Sequence, residues 1–423
     1  MYDLLAGIYH KLSGIGAVKW MGDQYLQGFP AGNLQAYLRL KKQKENIQTS
    51  EGPVRVVFLQ QNKVNWQIVS MIYEKMAQDE RFETYIIAIP EKMDDDPEAA
   101  YKSLVSLYGN KAVIRTGNNP DSLFDLKQLK PDYVFYPRPY DQYLPVPYRS
   151  YEVSAYARVV YMSYTYEMTT ENLKDVFNGR FFRNVSLYLA EDQERADMNR
   201  QHYPRSHADG TRETVCFGYP SLSEYAHLEQ REKDGYINLL WTPRWNDDPA
   251  HGGSSFLVYK DKIVDYVNAY HNVRLIFRPH PLTFYHFVST GKMSQEEADR
   301  YLAQFDGNRM VYDNKPDLKQ SFTDADILIS DISSIIAPYL LTCKPLIYCD
   351  TGGARFSEFG KKLFSGAYHT YTWEEVENCL NQLLAGNDVN RGKRIYVRDE
   401  YMSEMKEDHT DEILDYMYSS LRK

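Results

Sequence analysis

Three short runs in this 423-residue chain place cations, hydroxyls and a histidine directly after apolar, strand-like segments. Arg278-Pro-His-Pro281 follows Val273-Arg-Leu-Ile-Phe277. Its two prolines fix the backbone, so Arg278 and His280 are held at a strand's carboxyl end. An arginine there can neutralise a diphosphate, and a histidine can hydrogen-bond it or act as an acid. The plainer alternative is a rigid turn carrying a surface histidine. Thr242-Pro-Arg-Trp245 follows Ile237-Asn-Leu-Leu-Trp241 and offers a second cation, Arg244; a structural Trp–Arg stack would read the same way. Asp326-Ile-Leu-Ile-Ser-Asp-Ile-Ser-Ser334 runs from a buried strand into a turn of Ser330, Asp331, Ser333 and Ser334. Small hydroxyl residues at a helix start leave N–H groups open to an anion, which makes a phosphate cradle without glycines. A simple N-cap is the competing explanation. Three strand ends with this chemistry point to one anionic ligand.

The elements that must position these groups alternate. Strand runs are expected at Val54–Leu59, Tyr85–Ile89, Ala112–Ile114, Asp132–Tyr136, Arg158–Met162, Ser186–Ala190 and Thr214–Phe217. Helical patterns separate several of them, including 97–108 and 121–129. After Gly218-Tyr-Pro220 and a polar stretch the alternation restarts, with strands at 237–241, 273–277, 310–312, 325–329 and 345–348. Continuous apolar runs suit strands buried on both faces of a parallel sheet. The expected fold is therefore α/β, with two Rossmann-like domains facing across a cleft at the carboxyl ends of both sheets. The expected organisation is a helical segment over 1–50, an acceptor domain over 51–220, a nucleotide-donor domain over 221–400 and a C-terminal helix over 401–423.

Composition narrows the function classes. Hydrophobic residues at 43% and charged residues at 25% are ordinary globular proportions. A net charge of −9 argues against nucleic acid, which demands a basic face. The four cysteines, Cys216, Cys343, Cys349 and Cys379, form no CxxC pair, and the histidines show no metal-ligand spacing. A reducing cytoplasm and no metal or other cofactor are expected. Tyrosine is unusually frequent at 37 residues, which suits half-buried clefts or reflects drift in composition. No secretory signal is apparent, and no run approaches the ~18 apolar residues of a membrane span. Leu4, Leu5, Ile8, Leu12 and Ile15, followed by aromatics and Lys41, Lys42 and Lys44, read either as a segment on the inner membrane surface or as a helix packed on the neighbouring domain.

The second half resembles the teichoic-acid-type CDP-glycerol glycerophosphotransferases, a family with the GT-B fold. The likeness covers roughly residues 215–352: Gly218-Tyr-Pro220, Thr242-Pro-Arg-Trp245, Arg278-Pro-His-Pro281, Asp326 through Ser334, and Lys344-Pro-Leu-Ile-Tyr348 before Asp350. It implies that Arg244, His280, Ser333 and Ser334 contact a donor diphosphate. Arg278, Ser330 and Asp331 stand in the same turns and join the expected donor-binding set. The family's N-terminal domain carries a Trp-His-Gly-Thr motif whose histidine is the proposed base. The equivalent stretch here, Val160-Tyr-Met-Ser-Tyr-Thr-Tyr-Glu-Met168, holds no histidine. Glu167 is the expected base in its place, with His280 as the second catalytic residue; Tyr164 and Tyr166, with resting pKa near 10, are poorer bases. Arg138, Asp141 and Tyr164 are the acceptor-side candidates. Three functions follow: polyol-phosphate transfer from a CDP-activated donor to a glycan or glycolipid hydroxyl, glycosyl transfer from a nucleotide sugar, or a nucleotide-binding protein without turnover.

Overall fold

The computed structural model describes residues 31–46, 52–61, 63–91, 96–117, 119–163, 166, 168–169, 177, 179–249, 252–315 and 317–422. The chain divides into two compact units. One comprises Met1–Thr165, Asn172–Ser221 and Glu407–Lys423, the other Tyr166–Glu171 and Leu222–Lys406. The segment over 401–423 is thus split, and its helix, Thr410–Ser420, belongs to the first unit.

The first unit is built on seven parallel strands: β1 Val54–Gln60, β2 Phe82–Ala88, β3 Val113–Arg115, β4 Tyr133–Tyr136, β5 Arg158–Met162, β6 Leu187–Ala190 and β7 Glu213–Cys216. Their spatial order is β3-β2-β1-β4-β5-β6-β7. Val-Val-Phe-Leu of β1 and Tyr-Val-Phe-Tyr of β4 are buried on both faces, as an apolar run in a central parallel strand must be. The stretch 121–129, expected as a helix, forms two short 3-10 turns. The reason is local: the Asp125 side chain accepts from Lys127 N–H and caps the second turn.

Most of the 1–50 segment lies outside the described residues. Its described part is the helix Ala31–Asn46, with Ala36, Tyr37, Leu40 and Gln43 buried. Gln43 donates to Ser154 O at 3.0 Å and Arg39 to Asn184 at 2.8 Å, while Lys41, Lys42 and Lys44 are exposed. This stretch therefore packs on its own domain. No helix of the described residues is long and apolar enough to cross a membrane.

The second unit carries β8 Ile237–Thr242, β9 Val273–Phe277, β10 Met310–Tyr312, β11 Ile327–Ser330, β12 Leu346–Cys349 and β13 Tyr368–Thr370, all parallel, in the order β10-β9-β8-β11-β12-β13. Leu239, Trp241, Leu275, Phe277, Ile327 and Ile329 turn one face into a core shared with the helix Phe256–Ala269. Trp241 lies 5.0 Å from Phe277 and 5.8 Å from Phe256 between ring centroids. That aromatic layer fixes the ends of β8 and β9. Many tyrosines are core residues: Tyr133, Tyr136, Tyr148, Tyr161, Tyr188, Tyr339 and Tyr348 are fully buried. Several place the hydroxyl on a carbonyl, as Tyr136 does on Tyr148 O at 2.8 Å.

Lys344 has a structural task. Its ammonium donates to Phe322 O, Thr323 O and Ala325 O at 2.6, 2.9 and 2.7 Å, closing the carboxyl end of the helix Lys319–Asp324 that leads into β11. Burial pushes its pKa down to about 8. Lys344→Met should lower the unfolding free energy by about 1–3 kcal/mol, the cost of stranded buried carbonyls. Urea denaturation measures this, and an unchanged midpoint would contradict it.

Candidate functional site

In an open α/β sheet the ligand crevice forms where neighbouring strands send their connections to opposite sides. In the second unit that point lies between β8 and β11, since β9 and β10 lie beyond β8 while β12 and β13 lie beyond β11. The register brings the strand ends level: Trp241 pairs with Phe277, Thr242 with Ser330 and Ser330 with Tyr348. The three turns singled out in the sequence therefore emerge side by side.

Backbone bonds tie these turns together. Arg278 N–H donates to Trp241 O at 2.9 Å and His280 N–H to Pro243 O at 3.4 Å. Arg244 N–H donates to Asp331 Oδ2 at 2.8 Å, and Ser255 N–H donates to the same oxygen at 3.0 Å. One carboxylate thus holds both the Arg244 turn and the start of the helix Phe256–Ala269. Asp331 is fully buried, and burial raises its pKa to about 6 against the opposing pull of these hydrogen bonds.

His280 is exposed at this level of the sheet. Its Nδ1 accepts from Leu282 N–H at 3.1 Å, which leaves the ring proton on Nε2. Crowding by protein atoms around its inner side, and then Arg244, lower its pKa to about 4. The imidazole is consequently a neutral hydrogen-bond donor at pH 7. Trp245 backs it, with ring centroids 5.9 Å apart, and also meets His286 at 5.3 Å. Arg244 is half-buried, Ser333 is half-buried and Ser334 is exposed. The helix beyond them, Ile336–Leu341, has only six residues, so the two hydroxyls and the turn's own N–H groups matter more here than a macrodipole.

Three expected donor-binding residues are committed elsewhere. Arg278 pairs with Asp313 at 3.0 Å and donates to Ser321 Oγ at 3.2 Å and Lys315 O at 2.6 Å, so its charge is already neutralised. Ser330 is buried and donates to Asp331 O at 2.8 Å. Asp331 clamps the two backbone N–H groups. All three shape the site from within the domain rather than offering open groups. Asp326, at the other end of β11, is bound to Arg231, Lys233 and Asn238 N–H.

A fourth piece of the wall was missed in the sequence. Gly252-Gly253-Ser254-Ser255 leads into the helix Phe256–Ala269, and both glycines have positive φ, at 90° and 58°. A Cβ on Gly252 would stand 2.6 Å from Ile332 Cγ2 and 3.5 Å from Arg244 Nη1, so only glycine lets this loop pass. A glycine pair between a strand and a helix start was the available signal. Its N–H groups are occupied: Gly252 by Pro249 O at 3.1 Å and Gly253 by Asp248 O at 3.0 Å. The loop shapes the site without cradling an anion.

In the first unit the corresponding switch point lies between β1 and β4. Arg138 follows β4 there, ion-paired with buried Glu91 and donating to Gln61 Oε1 at 3.1 Å. Asp141 caps a turn: its two oxygens accept from Ser150 N–H at 2.7 Å and Ser150 Oγ at 2.6 Å. Tyr164 and Glu167 lie outside the described residues. Among the described residues no group of three or more His, Cys, Asp or Glu side chains is placed to hold a metal ion.

No family model matches the sequence, and no curated protein is significantly similar to it. Solved structures are similar in fold. A UDP-N-acetylglucosamine 2-epimerase matches with TM-score 0.59 at 11% identity, over 87% of this chain and 97% of its own. The wall teichoic acid polymerase TagF soaked with CDPG matches with TM-score 0.57 at 15% identity, over 92% and 94%. Anabaena HepE in complex with UDP-glucose matches with TM-score 0.51 at 13% identity, over 86% and 99%. The chain has two Rossmann-like α/β domains, the GT-B fold.

Proposed function

We propose that the chain is a transferase that moves a glycerol- or ribitol-phosphate group from a CDP-activated donor to a hydroxyl of a glycan or glycolipid. One observation supports this reading: the three strand-end turns at the β8/β11 switch point, which carry Arg244, His280, Ser333 and Ser334, are hydrogen-bonded to one another. Two hydroxyls, a guanidinium and an Nε2–H are the donors a diphosphate needs. The likeness in fold to a polymerase whose structure was soaked with CDPG supports the donor class.

In this scheme the acceptor oxygen bonds to the distal phosphorus, the bond from that phosphorus to the bridging oxygen breaks, and CMP leaves with the electron pair. The hydroxyl proton passes to Glu167. The work of the protein is chiefly to stabilise charge on the transferring and leaving phosphates. Arg138 serves the acceptor side. The setting is the cytoplasm, at the inner face of the plasma membrane when the acceptor is lipid-linked, and no cofactor is required.

Phosphorus-31 resonance of the products tests the reaction type: a phosphodiester signal must appear with CDP-glycerol or CDP-ribitol, and a glycosidic product without it would refute the proposal. The second reading, glycosyl transfer from a nucleotide sugar, is favoured by the sequence Val160–Met168, which holds no histidine where the resembling family carries its Trp-His-Gly-Thr motif. Ser333→Ala combined with Ser334→Ala should weaken donor binding about tenfold, as the loss of two neutral hydrogen bonds would. Calorimetric titration with CDP measures this, and unchanged affinity would remove the serine turn from the site.

A further inference from the structure

Behind His280, the turn after β8 and the helix after β9 form a short chain of ring contacts. That helix, Thr283–Ser289, starts directly after Leu282, whose N–H holds His280 Nδ1. Within it His286 N–H donates to Leu282 O at 2.8 Å, so Leu282 and His286 belong to one piece of hydrogen-bonded backbone. Trp245, half-buried on the turn after β8, meets both histidines. Its ring centroid lies 5.9 Å from that of His280 at an interplanar angle of 36°, and 5.3 Å from that of His286 at 81°. Both separations fall in the range of attractive ring contacts, about 4.5–7 Å.

His286 is tied back to the turn that carries Trp245. Its Nε2 stands 3.2 Å from Asp247 Oδ1, and Asp247 Oδ2 takes the Lys292 ammonium. Burial works against the charge of Asp247, but hydrogen bonds from Lys292 and His286 outweigh it and hold the pKa below the usual value. Asp247 is therefore a carboxylate at neutral pH, which can only accept, so His286 Nε2 donates. The indole is thus closed in on one side by an imidazole whose orientation Asp247 sets.

His280 lies on the other side of the indole. One hydrogen bond at Nδ1 fixes a point on its ring but leaves the plane able to tilt, because hydrogen bonds tolerate a broad range of angles. Contact with an indole that is itself held removes that freedom. We propose that Trp245 is a positioning residue, which sets the plane of the His280 imidazole and with it the direction of Nε2–H. The consequence for rate rests on the proposed role of His280 at the donor diphosphate; the orientation itself is a property of the free chain. Misaiming a positioned donor should lower kcat about tenfold, less than the loss of the imidazole itself.

Carbon-13 relaxation of the His280 ring in the nucleotide-free chain reads the orientation directly. The parental ring should be as ordered as rigid backbone, with an order parameter of about 0.85, and Trp245→Leu should drop it below about 0.6. Trp245→Phe restores an aromatic face and should return most of the order. In steady-state kinetics Trp245→Leu should show the tenfold loss in kcat, with CDP affinity changed about threefold at most and most of the rate recovered in Trp245→Phe. Asp247→Ala leaves every ring in place but frees His286, and should give an intermediate order parameter. It keeps the test decisive if Trp245→Leu does not fold. Parental order in Trp245→Leu or in Asp247→Ala, or a Phe variant as mobile as the Leu one, would overturn the proposal. If the parent neither binds CDP nor turns over, the donor-site reading fails, and ring relaxation still decides the role of Trp245.

Discussion

His280→Ala is expected to lower kcat about 100-fold at neutral pH, the scale of losing one positioned hydrogen-bond donor at a centre of developing charge. The expectation rests on the ring's protonation state. With Nδ1 taken by Leu282 N–H and the pKa lowered to about 4, the imidazole presents a neutral Nε2–H. That donor is present whether the ring is neutral or cationic. Rate should therefore not fall on the alkaline side through titration of His280. The variant His280→Gln carries an amide N–H near the position of Nε2 and should recover a substantial part of the loss. Steady-state kinetics across pH 6 to 9 distinguish the roles: a proton-donating His280 would leave Gln as poor as Ala, whereas a hydrogen-bonding His280 would not. Parental activity in His280→Ala would place the histidine outside the mechanism.

Asp331→Ala should be the most damaging change to the second unit itself. The carboxylate accepts from Arg244 N–H and Ser255 N–H in a fully buried position. Stranding two buried N–H groups costs about 2–4 kcal/mol in stability. Donor affinity falls as well, because the Arg244 turn loses its anchor. Asp331→Asn keeps an oxygen for both amides and should stay close to the parent. The pH dependence has a definite sign. A pKa raised from 3.8 to about 6 means that the folded chain holds a proton which the unfolded chain has released. This contribution to stability is present below about pH 4, declines as pH rises to about 6 and is flat above that. Asp331→Asn should remove that slope. Thermal unfolding at pH 4.5 and pH 7 checks it, and an Asn variant that keeps the slope would show that another group is responsible.

The strand pattern was legible because the chemistry is blunt. Central parallel strands must be apolar on both faces, so Arg158–Met162 has the bounds its composition suggests. The strand Tyr368–Thr370 was not legible: three residues at a sheet edge carry no run long enough to stand out. The stretch 121–129 misled because its spacing suits a helix while Asp125 prefers to cap a turn.

Within the site, position was legible and commitment was not. A proline-fixed turn after a strand had to lie at the sheet's carboxyl end, and Arg244, Arg278 and His280 all do. Nothing local shows that Arg278 is held by Ser321, 43 positions later, and by Asp313. Nor does local sequence show that Asp331 turns inward to hold Arg244, 87 positions earlier. Such pairings exist only once the sheet has ordered its strands as β9-β8-β11. Gly252 became meaningful in the same way, through the approach of Ile332 from a distant turn.

The most direct measurement is a structure of the chain crystallised with CDP. Its two phosphates should lie within hydrogen-bonding distance, about 3 Å, of the Arg244 guanidinium, His280 Nε2 and the Ser333 and Ser334 hydroxyls. A cytidine nucleotide bound along the outer face of β8–β10, or in the first unit, with those four side chains unoccupied, would contradict the account.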